Sequence, residues 1–180
     1  MLGDVPRPGT RRGCRPVLYI DVDGVLNPDA PRDAARFGEH TAGRFTVRIN
    51  PEHGDWLREL ADRFDLVWAT TWEAHANRYI GPLLGLPELP HVEFSAYDAR
   101  PGDPRTPLLQ IPRMRKWAPI LRHADGRPFA WVDDVIPLTV RRQAFRYRRA
   151  LRLVPVNAAE GLERRHVDGL WRWAGRWVVG

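Results

Sequence analysis

The sequence holds a single cysteine, Cys14, among its 180 residues, so it builds neither an internal disulfide nor a cage of thiolates around zinc. Lysine is almost absent too: Lys116 stands alone among 28 basic residues. No run of about 18 apolar residues occurs, which argues against a membrane-spanning helix. The apolar stretch that follows the basic amino-terminal residues is broken by Asp21 and Asp23, which argues against an export signal. A cytoplasmic protein is expected. What is present is 43% hydrophobic and 10% aromatic residues on a chain long enough to bury one core. The formal charge of +6 invites a polyanionic partner such as nucleic acid. A compositional preference for arginine explains the same charge without any partner.

Residues 1–15, MLGDVPRPGTRRGCR, mix proline, glycine and arginine without apolar periodicity and are expected to form a flexible arm ahead of one domain at 16–180. PVLYIDV, DLVWATTW and PFAWVDDV read as buried strands, and LRLVPV reads as a fourth strand. RFTVRI reads as a short strand, one arm of a flap. NPEHGDWLRELADRF carries a helix signal, with Asn50 as cap, Pro51 at the first position and apolar residues at three- and four-residue spacing. RMRKWAPILRH and EGLERRHVDGLWRWAG read as further helices, the second amphipathic. Residues 81–112 read as irregular, with HVEFSA as a candidate short strand. Strands alternating with helices predict an α/β fold, a Rossmann-like parallel sheet with helices on both faces.

In such a sheet ligands bind beyond the carboxyl ends of the strands. The polar residues of this chain collect there: Asp21, Asp23 and Gly24 after the first strand, Thr70 and Thr71 after the second, Asp133 and Asp134 after the third, with Lys116 ahead of it. Each suits a phosphate ligand. Asp21 can attack phosphorus, and Asp23, two residues on, can pass a proton to the leaving group and take one from water. Asp21 with Asp133 or Asp134 can hold a hard cation such as Mg²⁺. Thr70 or Thr71 can bind a phosphoryl oxygen, and Lys116 can neutralise charge in the transition state. Thr71, Trp72, Asn77 and Gly24 are candidates for the substrate side of the pocket. Singly these signals are weak; in this order, each on its own strand end, they are hard to obtain by chance.

At these residues the chain resembles the haloacid dehalogenase-like hydrolase superfamily: DVDGVLN as first motif, the threonine after LVWA as second, Lys116 as third and WVDD as fourth. RINPEHGDWLREL, LVWATTWEAHAN and the closing GLERRHVDGLWRWA are similar to a small bacterial branch that includes the phosphatase-like domain of RNA-repair proteins. The resemblance implies a Rossmann-like sheet, Mg²⁺ and an aspartyl-phosphate intermediate. By position, Asp21 would be nucleophile and metal ligand, and Asp23 the acid/base, touching the metal through its backbone carbonyl. Thr70, with Thr71 in reserve, and Lys116 would be catalytic, and Asp133 and Asp134 would bind metal. The segments between motifs are too short for a separate cap domain. The implied function is a phosphatase acting on an unidentified phosphorylated substrate, a nucleotide or nucleic-acid end among the candidates. The alternative is a non-catalytic nucleic-acid- or phosphate-binding module, suggested by the basic balance and by Arg142, Arg146 and Arg149, which would share a stripe on a helix.

Overall fold

Strand β1 (Val17–Ile20) is buried over its whole length, as a strand covered on both faces must be. The chain then forms an antiparallel hairpin, β2 (Gly38–Ala42) and β3 (Phe45–Ile49), before helix α1 (Glu52–Ala61) and strand β4 (Asp65–Trp68). A short helix α2 (His75–Tyr79) follows, then α3 (Trp117–Ala124), β5 (Phe129–Asp133), α4 (Leu138–Phe145), β6 (Leu151–Pro155) and the closing helix α5 (Arg164–Ala174). These elements come from a computed structural model that describes residues 7–9, 14–94 and 116–177.

The central sheet has the order β4-β1-β5-β6, and every neighbouring pair in it is parallel. Its side chains alternate with the two-residue period of a strand. Leu18, Ile20, Trp68 and Val132 face one layer with Leu57 and Leu60 of α1 and Leu170 and Trp173 of α5. Val17, Tyr19, Phe129 and Trp131 face the other, with Ile120 and Ala124 of α3 and Val140 of α4. This is the expected α/β sandwich. The chain leaves β1 toward β4 on one side and later returns to β5 on the other. The crevice beyond the carboxyl ends of β1 and β5 is therefore the topological switch point, where ligands settle in open sheets.

Local chemistry explains most boundaries. Asn50 caps α1, its Oδ1 accepting the Glu52 N–H at 3.0 Å, although Pro51 rather than Asn50 stands immediately before the helix. Gly54 in α1 cannot carry a side chain, because a Cβ there would stand 2.1 Å from the Leu84 carbonyl oxygen. The hairpin supplies the expected flap strand with a partner the sequence did not signal: of GEHTA only Ala42 is buried, so no apolar alternation marks it. Gly43, with φ +63, opens its two-residue turn.

HVEFSA, as far as Phe94, makes no strand. Trp68 and His91 form a single parallel bridge, the Val92 N–H donating to Trp68 O at 2.9 Å, which covers the outer edge of β4. Its last two residues lie outside the described ones, as do residues 113–115 of the expected third-motif helix. Within the presumed arm, Gly9 donates its N–H to Gly126 O at 2.8 Å, and Arg15 bonds to Phe64 O at 3.2 Å. The arginine stripe is not one helical face: α4 ends at Phe145, so Arg142 lies in the helix while Arg146 and Arg149 lie in the turns after it.

Candidate active site

The two carboxylates at the switch point are adjacent because their strands are. Asp21 follows β1 directly and donates its N–H to Val132 O of β5 at 3.1 Å; Asp133 is the last residue of β5. Lys116, just ahead of α3, reaches both, its Nζ 2.6 Å from Asp21 Oδ2 and 2.7 Å from Asp133 Oδ2. All three side chains are buried, with Lys116 only 1% exposed. Buried charges persist only when paired and hydrogen-bonded. The remaining bonds are supplied by the Val22 N–H to Asp21 Oδ1 (2.8 Å), the Trp131 indole to Asp133 Oδ2 (3.1 Å) and the Val135 N–H to Asp133 Oδ1 (2.8 Å).

One ammonium faces two carboxylates, and the electrostatics reflect the imbalance. Burial and the charge on Asp21 push the Asp133 carboxyl up to about 7, against the opposing pull of Lys116 and the Val135 N–H. Burial alone would lower the Lys116 pKa, but the two carboxylates outweigh it and the net shift is upward, so the lysine stays charged.

Asp134 completes an acidic group. One oxygen each from Asp21, Asp133 and Asp134 lie within 4.8 Å of one another, a donor set of hard oxygens suited to Mg²⁺. Gly24 makes the approach of Asp134 feasible: its φ is +76, and a Cβ there would come within 2.7 Å of Asp134 Cγ. The Asp23 carboxylate is not in this group; the metal contact expected of it runs through its main-chain carbonyl.

Thr70 is fully buried just past β4, where the Ala69 N–H donates to Ile20 O at 2.8 Å, so Thr70 runs alongside the loop that carries Asp21. Its Oγ1 accepts the Trp72 N–H at 3.4 Å. Thr71 is exposed. Asn77 is committed elsewhere. Its Oδ1 accepts from the Trp68 indole (2.8 Å) and the Leu89 N–H (3.0 Å), and its Nδ2 donates to Leu89 O (2.7 Å), so its amide ties α2 to β4 and to Leu89 instead of facing a substrate.

The Asp23 carboxylate is bonded by Asn27 and by Trp72. Asn27 Nδ2 donates to its Oδ1 and the Trp72 indole to its Oδ2, each at 3.0 Å. Trp72 was expected at the pocket, but its bond to Asp23 spans 49 residues and has no local signal. Asn27 lies inside the first motif and received no role from the sequence; a polar residue four positions after Asp23 on a tight loop was the available clue.

Residues 17–167 match the family described as the HAD domain in Swiss Army Knife RNA repair proteins. No curated protein and no solved structure matches the chain. The matched span takes in the whole central sheet and every residue considered above for the site. With a parallel sheet, acids at adjacent strand ends and a buried lysine between them, the chain belongs to this family of haloacid dehalogenase-like hydrolase domains.

Proposed function

We propose that the protein is a Mg²⁺-dependent phosphatase working through an aspartyl-phosphate on Asp21. The observation that carries this reading is the buried contact of Lys116 with both Asp21 and Asp133 at the switch point. Pure binding of a phosphate needs cations; a lysine set between two buried acids suits an attacking carboxylate.

Asp21, Asp133 and Asp134 would hold the ion, which would offset repulsion between carboxylate and phosphate and polarise a phosphoryl oxygen. In the first step an Asp21 oxygen bonds to phosphorus as the bond to the leaving oxygen breaks, and Asp23 gives that oxygen its proton. In the second, water attacks the same phosphorus, Asp23 takes the water proton, and phosphate departs with the Asp21 carboxylate restored. Lys116 holds Asp21 in place and balances charge on the phosphoryl group, and Thr70 binds one of its oxygens.

A nucleotide or nucleic-acid end is the substrate class favoured by the rim beside Asp23. Phe45, 51% exposed, meets Trp72 edge-on at 5.6 Å, and Tyr79 meets Trp72 at 6.4 Å. The Arg44 guanidinium lies over Phe45 at 5.0 Å and that of Arg78 over Tyr79 at 5.1 Å. Aromatic faces beside arginines suit bases and a phosphate backbone. A cytoplasmic setting fits the lone cysteine, and no helix among the described residues is long and apolar enough to cross a membrane.

The test is phosphate release, with Mg²⁺ and with chelator, from p-nitrophenyl phosphate, nucleotides, sugar phosphates and phosphorylated oligonucleotides. Release that needs Mg²⁺ and is lost in Asp21→Asn supports the reading. Full activity in Asp21→Asn overturns it.

A further inference from the structure

Asp23 is fixed by residues that belong to neither its own strand nor the acidic group. Asn27 and Trp72 each donate to one oxygen of its carboxylate at 3.0 Å, which sets the plane of that group. Both donors are in turn tied to the β2–β3 hairpin. Asn27 Oδ1 accepts the Arg48 N–H of β3 at 2.8 Å, and the Trp72 ring packs against Phe45, the first residue of the same strand.

The Trp72 contact is more than the satisfaction of a buried indole. Trp72 is only partly buried, so burial alone does not force its indole N–H onto the Asp23 carboxylate. The backbone after Trp72 is also strained: Glu73 has φ +46, an uncommon conformation for a residue with a side chain, and accepts the Phe94 N–H on its own carboxylate at 2.7 Å. The Glu73 N–H donates to Thr70 O at 3.1 Å, closing a turn over Thr71 and Trp72 from which the indole reaches Asp23.

We propose that Trp72 and Asn27 are positioning residues that aim the Asp23 carboxyl at the leaving oxygen, with the β2–β3 hairpin as their support. The inference rests on the phosphatase reading. Its consequence depends on the leaving group. An alkoxide is a poor leaving group and must receive the proton from Asp23 as the bond to phosphorus breaks, whereas p-nitrophenolate departs without it. Misaiming Asp23 therefore harms alkyl phosphates selectively, while a general loosening of the fold harms both.

The variants are Trp72→Phe, which keeps a ring against Phe45 and removes the donor, and Asn27→Ala. Each should lower kcat/KM for glycerol 2-phosphate by about tenfold more than for p-nitrophenyl phosphate, a modest share of what a positioned acid contributes. The indole ¹H–¹⁵N resonance that disappears in Trp72→Phe should also shift in Asp23→Ala, reporting the contact without any turnover. Equal losses on both substrates, or an indole resonance unmoved in Asp23→Ala, would overturn the positioning role. A wild-type protein that releases phosphate from neither ester, nor from the nucleotides, sugar phosphates and phosphorylated oligonucleotides above, would overturn the phosphatase reading, and the role with it, a result distinct from activity without discrimination.

Discussion

Gly24 lies directly against Asp134: a methyl group on Gly24 would stand 2.7 Å from the Asp134 carboxyl carbon, and the glycine already occupies the left-handed region with φ +76. Gly24→Ala therefore adds about 1–2 kcal/mol of backbone strain and displaces the Asp134 carboxylate from Asp21 and Asp133. The expected outcome is a lower Tm and a smaller rise in Tm on adding Mg²⁺. Thermal unfolding of both proteins with and without Mg²⁺ measures it; the same Mg²⁺-induced rise in both would contradict the placement of Asp134 in the cation site.

Lys116 is the counter-ion of two buried acids. Lys116→Met fills similar space but leaves Asp21 and Asp133 facing each other, a loss of about 3–5 kcal/mol at neutral pH. Added Mg²⁺ should recover more stability in the variant than in the wild type, because a cation would relieve the same repulsion. Urea unfolding, with and without the ion, reads both effects.

Mg²⁺ binding should strengthen as pH rises toward about 7. The Asp133 carboxyl is held up to about 7 by burial and by Asp21, so below that value a cation must displace its proton. The Mg²⁺-induced rise in Tm is expected to be small at about pH 5.5 and larger at about pH 8. A response independent of pH would place the ion away from Asp133.

His53 gives an acid limb to stability. It is fully buried in α1 with Nε2 3.1 Å from Leu162 O, and burial lowers its pKa from 6.5 to about 4. The neutral ring is favoured in the folded state, so its contribution is present above pH 6.5 and is lost as pH falls toward 4, about 3 kcal/mol across the window. Asp133, with a raised pKa, works in the opposite sense over a similar range, so the wild-type profile alone mixes the two. The stability difference between wild type and His53→Gln isolates the histidine: it should shrink as pH falls. A difference constant with pH would show that His53 does not titrate as a buried neutral ring.

The parts of this molecule legible in its sequence are those with strong local patterns. β1, β4 and β5 are apolar runs because the sheet is covered on both faces there, while the edge strand β6 exposes Arg152 and Pro155; the acids stand out where β1 and β5 end. β2 was not legible, since its residues face mostly solvent. Asn77 shows the limit of reading polarity as function: a polar side chain shortly after the second motif looks like a pocket residue, yet Trp68 and Leu89 use its amide. Of the clasp on Asp23, Asn27 lies four residues away and left a local clue, whereas the Trp72 contact depends on where hairpin and loop meet in space and no spacing in the chain encodes it.

The central claim is that Asp21 becomes phosphorylated during turnover. The direct measurement is mass spectrometry of the peptide containing Asp21 after acid quench of the Mg²⁺-loaded protein turning over an alkyl phosphate. A phosphoryl adduct on Asp21, absent in Asp21→Asn, is the predicted result, and the adduct should accumulate in a variant whose second step is slowed. Phosphate release at full rate from Asp21→Asn, or an adduct confined to another residue, would contradict the account.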